Sequence, residues 1–336
     1  MGAQWSSIFP PKATFTETNL PDQSNKVFIV TGSTGGLGKE LAKILYQKNA
    51  KVYIAARSEA KAKVAIQEMK DLYPGSKGQF EYLHLDLNDL RTIKRSAQEF
   101  LEKENRLDVL WNNAGVMVPE QGSKTAQGYE LQLGVNVLGG FLFTHFLRPT
   151  LAATAKTAPK SSVRVVWVSS SAAVMAPKPP IDFENMNYER DESAVTKYMR
   201  SKAGNVLHAA EFARRTASDG IISMSLDPGT FMTDLQRTMP GWQKFLVKFI
   251  AHEPKNGAYT QLFAGLSPVI TEKNNGGWVA PFGRPRARQR GSFGEGAWEE
   301  VLGVDRGTGQ ALPLMTGHTI DLALKLGNVY LWRVEI

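Results

Sequence analysis

Short apolar runs alternate with longer amphipathic stretches along most of the chain. The runs are rich in β-branched residues, which is typical of strands buried on both faces of a parallel sheet. Each run is bounded by polar or glycine-containing segments. We therefore predict six strands, at Lys26–Val30, Val52–Ala55, Phe80–Leu85, Val109–Trp111, Ser162–Val168 and Ile221–Leu226.

The stretches between these strands carry apolar residues at helical spacing. Strands that alternate with helices at this spacing indicate an α/β fold, with one doubly wound parallel sheet and helices on both faces. No repeat or linker divides the pattern. Helices are predicted around Leu41–Leu45, at Glu59–Leu72, at Asp89–Glu102 with Asn88 as the N-cap, from about Gln127 to Leu151, and at Thr196–Thr216.

A glycine-rich loop follows the first strand and leads directly into a helix. It reads Thr31-Gly32-Ser33-Thr34-Gly35-Gly36-Leu37-Gly38. Glycines let a backbone approach a pyrophosphate closely, and a helix N-terminus supplies free N–H groups. We expect Gly32, Ser33, Gly36, Leu37 and Gly38 to contact a dinucleotide. Two glycine spacings fit the loop, T-G-x-x-x-G-x-G and T-G-x-x-G-x-x-G, and the loop alone does not choose between them.

The end of the second strand indicates which dinucleotide is bound. An acidic residue here binds the ribose 2′-hydroxyl of NAD, whereas arginine accommodates the 2′-phosphate of NADP. The chain has Arg57 at this point and no acid, which favours NADP(H). Farther along, the fourth strand ends in Asn112-Asn113-Ala114-Gly115, where small residues let the chain pass close to a cofactor.

A tyrosine and a lysine four residues apart, Tyr198 and Lys202, lie on the last predicted long helix. This spacing places both on one helix face. Ketone reduction needs a proton donor, and a tyrosine acting near neutral pH requires its pKa to fall by about three units. A nearby ammonium favours the phenolate, so Lys202 is expected to lower the pKa of Tyr198.

Taken in order over about residues 26–235, the glycine loop, the N-N-A-G element and Y-x-x-x-K resemble the short-chain dehydrogenase/reductase family. The resemblance implies a single Rossmann-type domain. N-N-A-G belongs to the compact branch of that family, which favours the T-G-x-x-x-G-x-G spacing. Within the family the chain looks most like the retinol-dehydrogenase-like branch, and its N-terminal arm is similar to fungal members that serve secondary-metabolite pathways.

The resemblance also implies roles for further residues. Asp86 and Leu87 match the adenine-contacting position, although an Asp at a strand end can equally form a turn. Ser170 matches the serine that holds the substrate oxygen, with Ser171 as the alternative. Asn136 matches the asparagine that holds a water and positions Lys202. Further cofactor contacts are expected at Tyr198 and at Lys202, which would hold the nicotinamide ribose. The others are Asn113, Ala114 and Gly115 and, after the sixth strand, Pro228, Gly229, Phe231 and Thr233.

Three regions are expected along the chain: an N-terminal arm (1–25), an NADP-binding catalytic domain (26–285) and an atypical C-terminal tail (286–336). The segment between Ser170 and Tyr198 is long and proline-containing, and we expect it to shape the substrate cleft. A helical pattern around Trp242–Ile250 corresponds to the family's substrate lid, although simple packing explains it as well.

Composition argues against several other kinds of site and partner. The chain has no cysteine, and its five histidines show no three- or four-residue spacing, so we expect no metal site. The net charge is +8, and four arginines between Arg284 and Arg290 account for half of this excess. We interpret these four residues as a solvated basic arm and expect no nucleic-acid partner. No apolar run is long enough for a transmembrane segment. The start fits the minimal myristoylation pattern at Gly2, but we expect a cytoplasmic protein.

The leading hypothesis is therefore an NADP(H)-dependent oxidoreductase that interconverts a carbonyl and an alcohol on a hydrophobic small molecule. Ser170, Tyr198, Lys202 and Asn136 would be the catalytic residues. The alternative is a catalytically silent NADP(H)-binding regulatory protein, against which the intact catalytic set argues. The resemblance also implies a homo-oligomer.

Overall fold

The predicted apolar runs form neighbouring strands of one sheet. The computed structural model describes residues 10–231 and 251–286, and within them the sheet has eight strands. The strands are β1 (Val27–Thr31), β2 (Lys51–Ala56), β3 (Gln79–His84), β4 (Val109–Asn112), β5 (Arg164–Val168), β6 (Ile222–Leu226), β7 (Trp278–Ala280) and β8 (Arg284–Arg286). Their spatial order is β3-β2-β1-β4-β5-β6-β7-β8, and all but β8 are parallel.

The antiparallel edge strand β8 was not predicted. It forms a hairpin with β7, in which Ala280 pairs with Arg284 and Trp278 with Arg286. The reversal is made at Phe282 and Gly283, which both have positive φ. Arg284 and Arg286, the first arginines of that basic stretch, therefore belong to the edge of the sheet and not to a separate arm. Charged residues and proline are common on edge strands because both discourage pairing with another chain.

Seven α-helical segments surround the sheet in the described part of the chain. They are α1 (Gly36–Gln47), α2 (Glu59–Leu72), α3 (Leu90–Lys103), α4 (Leu131–Leu133), α5 (Gly140–Ala155), α6 (Ala194–Arg215) and α7 (Pro254–Leu266). Residues Gly134–Gly139 form a π-helical segment that joins α4 to α5.

Two predicted helix starts differ from the structure. The N-cap of α3 is Asp89 and not Asn88, because the Asp89 carboxylate accepts from the backbone N–H of Arg91 at 3.1 Å. The helix predicted from about Gln127 begins only at Leu131. Gly128 has a φ of +83°, which breaks a right-handed helix, and the Glu130 side chain caps the new start.

Successive residues of the central strand face opposite layers, as the strand pleat requires. Phe28 and Val30 belong to a core with α1, α2 and α7 on one side of the sheet. Val27 and Ile29 belong to a second core with α3, α5 and α6 on the other side. The doubly wound α/β fold predicted from the sequence is therefore confirmed.

Helix α7 closes the first core beneath the glycine loop. The sequence pattern did not reveal it, because it is buried on several sides and has no polar stripe. The N-terminal segment packs against it: the ring centroids of Phe15 and Phe263 are 6.2 Å apart, and Glu17 pairs with Lys255 at 2.6 Å.

Candidate active site

The glycine loop turns tightly against the end of β4. Gly32 has a φ of +67°, and a Cβ there would stand 2.8 Å from the Cα of Ala114. Gly36 also has a positive φ, whereas Gly35 is extended at −165°, a conformation that any residue adopts. A Cβ at Gly38 would lie 2.5 Å from Nδ2 of Asn113. The structure therefore requires glycine at positions 32, 36 and 38, which is the T-G-x-x-x-G-x-G spacing.

The N-terminus of α1 has no side-chain cap. Gly35 occupies the N-cap position, so the first N–H groups of the helix have no side-chain acceptor from that residue. Uncapped N–H groups and the helix dipole suit an anion such as a pyrophosphate. Ser33 is buried and its hydroxyl donates to the Val30 carbonyl at 2.7 Å. Its side chain is thus committed to the fold, and only its backbone is left to meet a ligand.

The N-N-A-G element is tied to the glycine loop by a small hydrogen-bond network. The Thr31 hydroxyl accepts from the backbone N–H groups of Asn113, at 3.0 Å, and Ala114, at 2.9 Å. The Asn113 amide donates to the Thr31 carbonyl at 2.8 Å, and its oxygen accepts from Nε2 of Gln261 at 2.9 Å. Gln261 lies on α7 and was missed, because a lone glutamine in an apolar stretch gives no sequence signal.

Arg57 and Asp86 lie at the ends of β2 and beyond β3, at the same edge of the sheet as the glycine loop. Arg57 is exposed, and no carboxylate of the described residues pairs with it. One oxygen of Asp86 accepts from the backbone N–H of Asn88 at 2.9 Å, so this residue does form a turn. Leu87 is buried beneath Gly139.

The structure brings Tyr198, Ser170 and Lys202 together at the carboxyl end of β5. The Tyr198 hydroxyl is hydrogen-bonded to the Ser170 side chain. Nζ of Lys202 lies 5.7 Å from the centroid of the Tyr198 ring and donates to the Val168 carbonyl at 3.0 Å. The alternative serine, Ser171, is exposed and begins a short 3₁₀ turn. Ser170 is therefore the serine whose hydroxyl faces the tyrosine.

The pKa values at this cluster differ from the sequence-based expectation. Burial raises the pKa of Tyr198 above 10; the Ser170 hydrogen bond opposes this rise, and the negative charge of Asp227 adds to it. Burial also lowers the pKa of Lys202 to about 8. The expectation that Tyr198 has a lowered pKa is thus wrong for this structure, because desolvation outweighs the opposing hydrogen bond from Ser170. At neutral pH Tyr198 is a neutral phenol.

Asn136 lies in the π-helical segment, at one side of Lys202. Its Nδ2 donates to the Val116 carbonyl at 2.9 Å and to Oγ of Ser201 at 3.0 Å, and its oxygen accepts from the Val116 N–H at 2.8 Å. A Cβ at Gly115 would be 3.1 Å from that oxygen and 3.5 Å from Nζ of Lys202. Gly115 therefore leaves the space in which these two side chains approach each other. π-helical turns occur frequently at functional sites.

The segment after β6 borders the same cluster. Gly229 has a φ of +106° and donates its N–H to Oδ1 of Asp227 at 3.1 Å. The Pro228 carbonyl accepts from Thr260 at 3.3 Å, and Phe231 is buried. Thr233 and the predicted lid around Trp242–Ile250 lie outside the described residues, as does the tail beyond Arg286.

The long segment between Ser170 and Tyr198 is fastened to α6 by ion pairs. Both oxygens of Glu192 accept from Arg200 at 2.7 Å, and Arg200 also donates to the Pro179 carbonyl. Lys197 pairs with Asp191 at 2.6 Å. The sequence placed this segment at the substrate cleft but gave no sign that the catalytic helix itself holds it.

Within residues 10–231 and 251–286, no three His, Asp or Glu side chains are grouped as a metal site would need. In the same part of the chain, no helix is long and apolar enough to cross a membrane.

Known proteins are similar to this chain in sequence. The family model of the short-chain dehydrogenases matches residues 26–180. A short-chain dehydrogenase/reductase of Emericella nidulans, pkfC, is 57% identical over 281 residues, which cover 83% of this chain and 90% of that protein. The chain therefore belongs to the short-chain dehydrogenase/reductase family of oxidoreductases.

Solved structures agree with the fold. An uncharacterized protein of Mycobacterium paratuberculosis is 28% identical with a TM-score of 0.64, covering 86% of this chain and 94% of that one. The Pseudomonas aeruginosa protein RhlG, in an active-site complex with NADP, is 25% identical with a TM-score of 0.52, covering 65% of this chain and 77% of that one. Both are similar to this chain in fold.

Proposed function

We propose that this protein is an NADP(H)-dependent oxidoreductase that interconverts a carbonyl and an alcohol on a hydrophobic small molecule. The observation that carries the proposal is the cluster of Ser170, Tyr198 and Lys202 at the carboxyl end of β5, in which Tyr198 and Lys202 are buried. A phenol, a hydroxyl and an ammonium at one point supply the proton donor and the oxygen-binding groups that carbonyl reduction needs.

The residues present fit a dinucleotide. Gly32 and Gly38 leave a cradle that a Cβ would fill, and the uncapped N-terminus of α1 faces the same loop. The exposed Arg57, at the ribose position, is free of carboxylates in the described residues and supports NADP(H) over NAD(H). RhlG, which is similar to this chain, is in an active-site complex with NADP. In this proposal Ser33 and Leu37 of the glycine loop border the pyrophosphate, and Asp86 and Leu87 border the adenine. Pro228, Gly229 and Phe231 border the nicotinamide, and Thr233, which lies outside the described residues, is assigned to the same group by the family resemblance alone.

When bound, the cofactor would supply or accept the hydride. The Ser170 hydroxyl would hydrogen-bond the substrate oxygen, and the neutral Tyr198 phenol would donate its proton to that oxygen during reduction. Lys202 would remain close to Tyr198 and stabilise the phenolate that forms. Asn136 would complete the path by which the proton is replaced, because its amide lies between the Val116 backbone and Ser201 beside Lys202.

Apolar side chains beside Ser170 support a hydrophobic substrate. Val174 and Met175 follow Ser170 on the 3₁₀ turn and are 48% and 60% exposed. Phe183, on the segment that leads to α6, and Val195, in the first turn of α6, are exposed as well. Exposed apolar residues close in the chain to a polar catalytic cluster are consistent with a site for an apolar ligand. A role in secondary metabolism, a cytoplasmic location and a homo-oligomer remain parts of the proposal that follow from the family resemblance.

The test is turnover with a matched binding control. NADPH oxidation is followed with a panel of apolar ketones and aldehydes for wild type and Tyr198→Phe. We expect turnover with some members of the panel, a loss of about 10²- to 10⁴-fold in the variant, and unchanged NADPH affinity by nucleotide fluorescence. NADPH binding without turnover of any compound would favour the catalytically silent alternative, and no NADPH binding would contradict the cofactor assignment.

A further inference from the structure

One face of helix α6 contacts the π-helical segment that contains Asn136. Ser201, Gly204 and His208 follow each other at three- and four-residue spacing, so they lie along one stripe of the helix. Ser201 accepts the hydrogen bond from Asn136 at 3.0 Å. A Cβ at Gly204 would lie 3.0 Å from Cγ2 of Val137, so the two helices pack closely at this point.

His208 reaches the backbone of the π-helical segment. Its Nε2 lies 3.2 Å from the carbonyl oxygen of Val137, the residue next to Asn136. The ring is held between Phe141, at a centroid distance of 5.1 Å, and Trp167, at 5.0 Å. Burial among these rings lowers the pKa of His208 to about 4, so the imidazole is neutral near pH 7. Because a carbonyl can only accept, Nε2 carries the proton and donates.

The Val137 carbonyl is a point where the helix register is decided. It also accepts from the backbone N–H of Gly140, the residue at which α5 begins. A π-helical turn contains one residue more than an α-helical turn, and each residue rotates the side chains by about 100°. A change of register here would therefore turn the Asn136 amide away from Val116 and Ser201.

We propose that His208 is a positioning residue, which acts through Val137 to hold the π-helical register that keeps Asn136 beside Lys202. The inference rests on the proposed function, because it gives His208 a role only if Asn136 takes part in turnover. His208 itself contacts neither substrate nor cofactor in this proposal.

Two variants separate the hydrogen bond from the ring. His208→Phe keeps a planar ring between Phe141 and Trp167 but removes the donor. His208→Gln keeps an N–H donor but removes the ring. We expect kcat of His208→Phe to fall about tenfold, with substrate KM and NADPH affinity within about twofold of wild type, and His208→Gln to recover most of the lost kcat. Equal kcat losses in both variants would point to packing alone and overturn the proposal.

A double-mutant cycle and an exchange measurement complete the test. In the Asn136→Ala background, His208→Phe should cause no further loss of kcat; an additive loss would show that His208 does not act through Asn136. Hydrogen–deuterium exchange of the Gly134–Gly140 peptide should be faster in His208→Phe than in His208→Gln. This readout needs no turnover. Unchanged exchange in His208→Phe would therefore overturn the inference, whether or not the proposed function holds. Faster exchange together with an inactive wild type would contradict only the proposed function.

Discussion

Lys202 donates a hydrogen bond from Nζ to the carbonyl of Val168 at 3.0 Å, and this bond joins the catalytic helix α6 to the end of strand β5. The ammonium group is almost fully removed from solvent. Its pKa of about 8, against an ordinary value of 10.5, shows that the fold holds this charge at a cost. The buried Lys202 ammonium thus lowers the stability of the fold, which is typical of a residue kept for function.

We predict that Lys202→Met stabilises the protein at neutral pH while abolishing turnover. Below pH 8 both the folded and unfolded forms of wild type are protonated, and burial of the ammonium costs on the order of 3 kcal/mol. Between pH 8 and 10.5 the folded form loses its proton first, so the stability of wild type rises with pH. The stability gain of the variant should therefore be largest at pH 7 and vanish near pH 10.5. Urea denaturation of both proteins across this pH range measures it, and a pH-independent difference would contradict the prediction.

The sequence predicted those elements of the fold whose buried residues form a regular pattern along the chain. Parallel strands covered on both faces read as apolar runs, and the glycine loop precedes a helix because the turn itself demands glycine. Helix α7 left no such pattern, since apolar and small residues surround it on several sides. Strand β8 was not predicted because the composition of Arg284–Arg286, two arginines and a proline, is typical of an exposed loop. Only the pairing with β7 makes this segment a strand.

The candidate site shows a similar division. Motif spacing pointed to Tyr198, Lys202 and Ser170, and the structure brings them together. The spacing of residues carries no information on desolvation, so the predicted direction of the Tyr198 pKa shift was wrong. The contacts of Gln261 with Asn113 and of His208 with Val137 join segments far apart in the chain. Such contacts depend on how the helices pack, and a single sequence does not show this.

Arg57 is expected to choose between the two nicotinamide cofactors. We predict that Arg57→Ala weakens NADPH binding by about 1.5–3 kcal/mol, the range for a hydrogen bond to a charged group, and leaves NADH binding nearly unchanged. Arg95→Ala, which removes another exposed arginine from helix α3, is the matched control. Fluorescence titration with each nucleotide measures both affinities. If Arg57→Ala weakened NADPH and NADH equally, the 2′-phosphate assignment would be wrong.

Gly115 is expected to be needed for catalysis more than for folding. The Cβ of Gly115→Ala would press on the Asn136 oxygen at 3.1 Å and stand 3.5 Å from Nζ of Lys202. A shift of a few tenths of an ångström in these groups should lower kcat about tenfold with little change in the melting temperature. Gly75→Ala is the control, because nothing lies within 4 Å of a Cβ at Gly75. An unchanged kcat in Gly115→Ala would mean that Asn136 and Lys202 need no close approach.

The ion pair of Glu192 and Arg200 is expected to hold the segment before α6 as a wall of the substrate cleft. Arg200 is buried, and both Glu192 oxygens accept from it at 2.7 Å. Glu192→Gln leaves the guanidinium without its counter-charge, so we expect a stability loss of roughly 1–3 kcal/mol. The control Glu59→Gln removes a carboxylate whose partner, Lys63, is exposed, and should leave the free energy of unfolding essentially unchanged.

The kinetic consequence separates this wall from the cofactor site. Loosening the segment should raise KM for the carbonyl substrate several-fold, because Phe183 and its apolar neighbours lie on it, while NADPH affinity stays the same. Steady-state kinetics and nucleotide titration of Glu192→Gln measure the two effects side by side. A parallel loss of NADPH affinity would show instead that the ion pair supports the catalytic helix as a whole, since Arg200 lies between Tyr198 and Lys202 on α6.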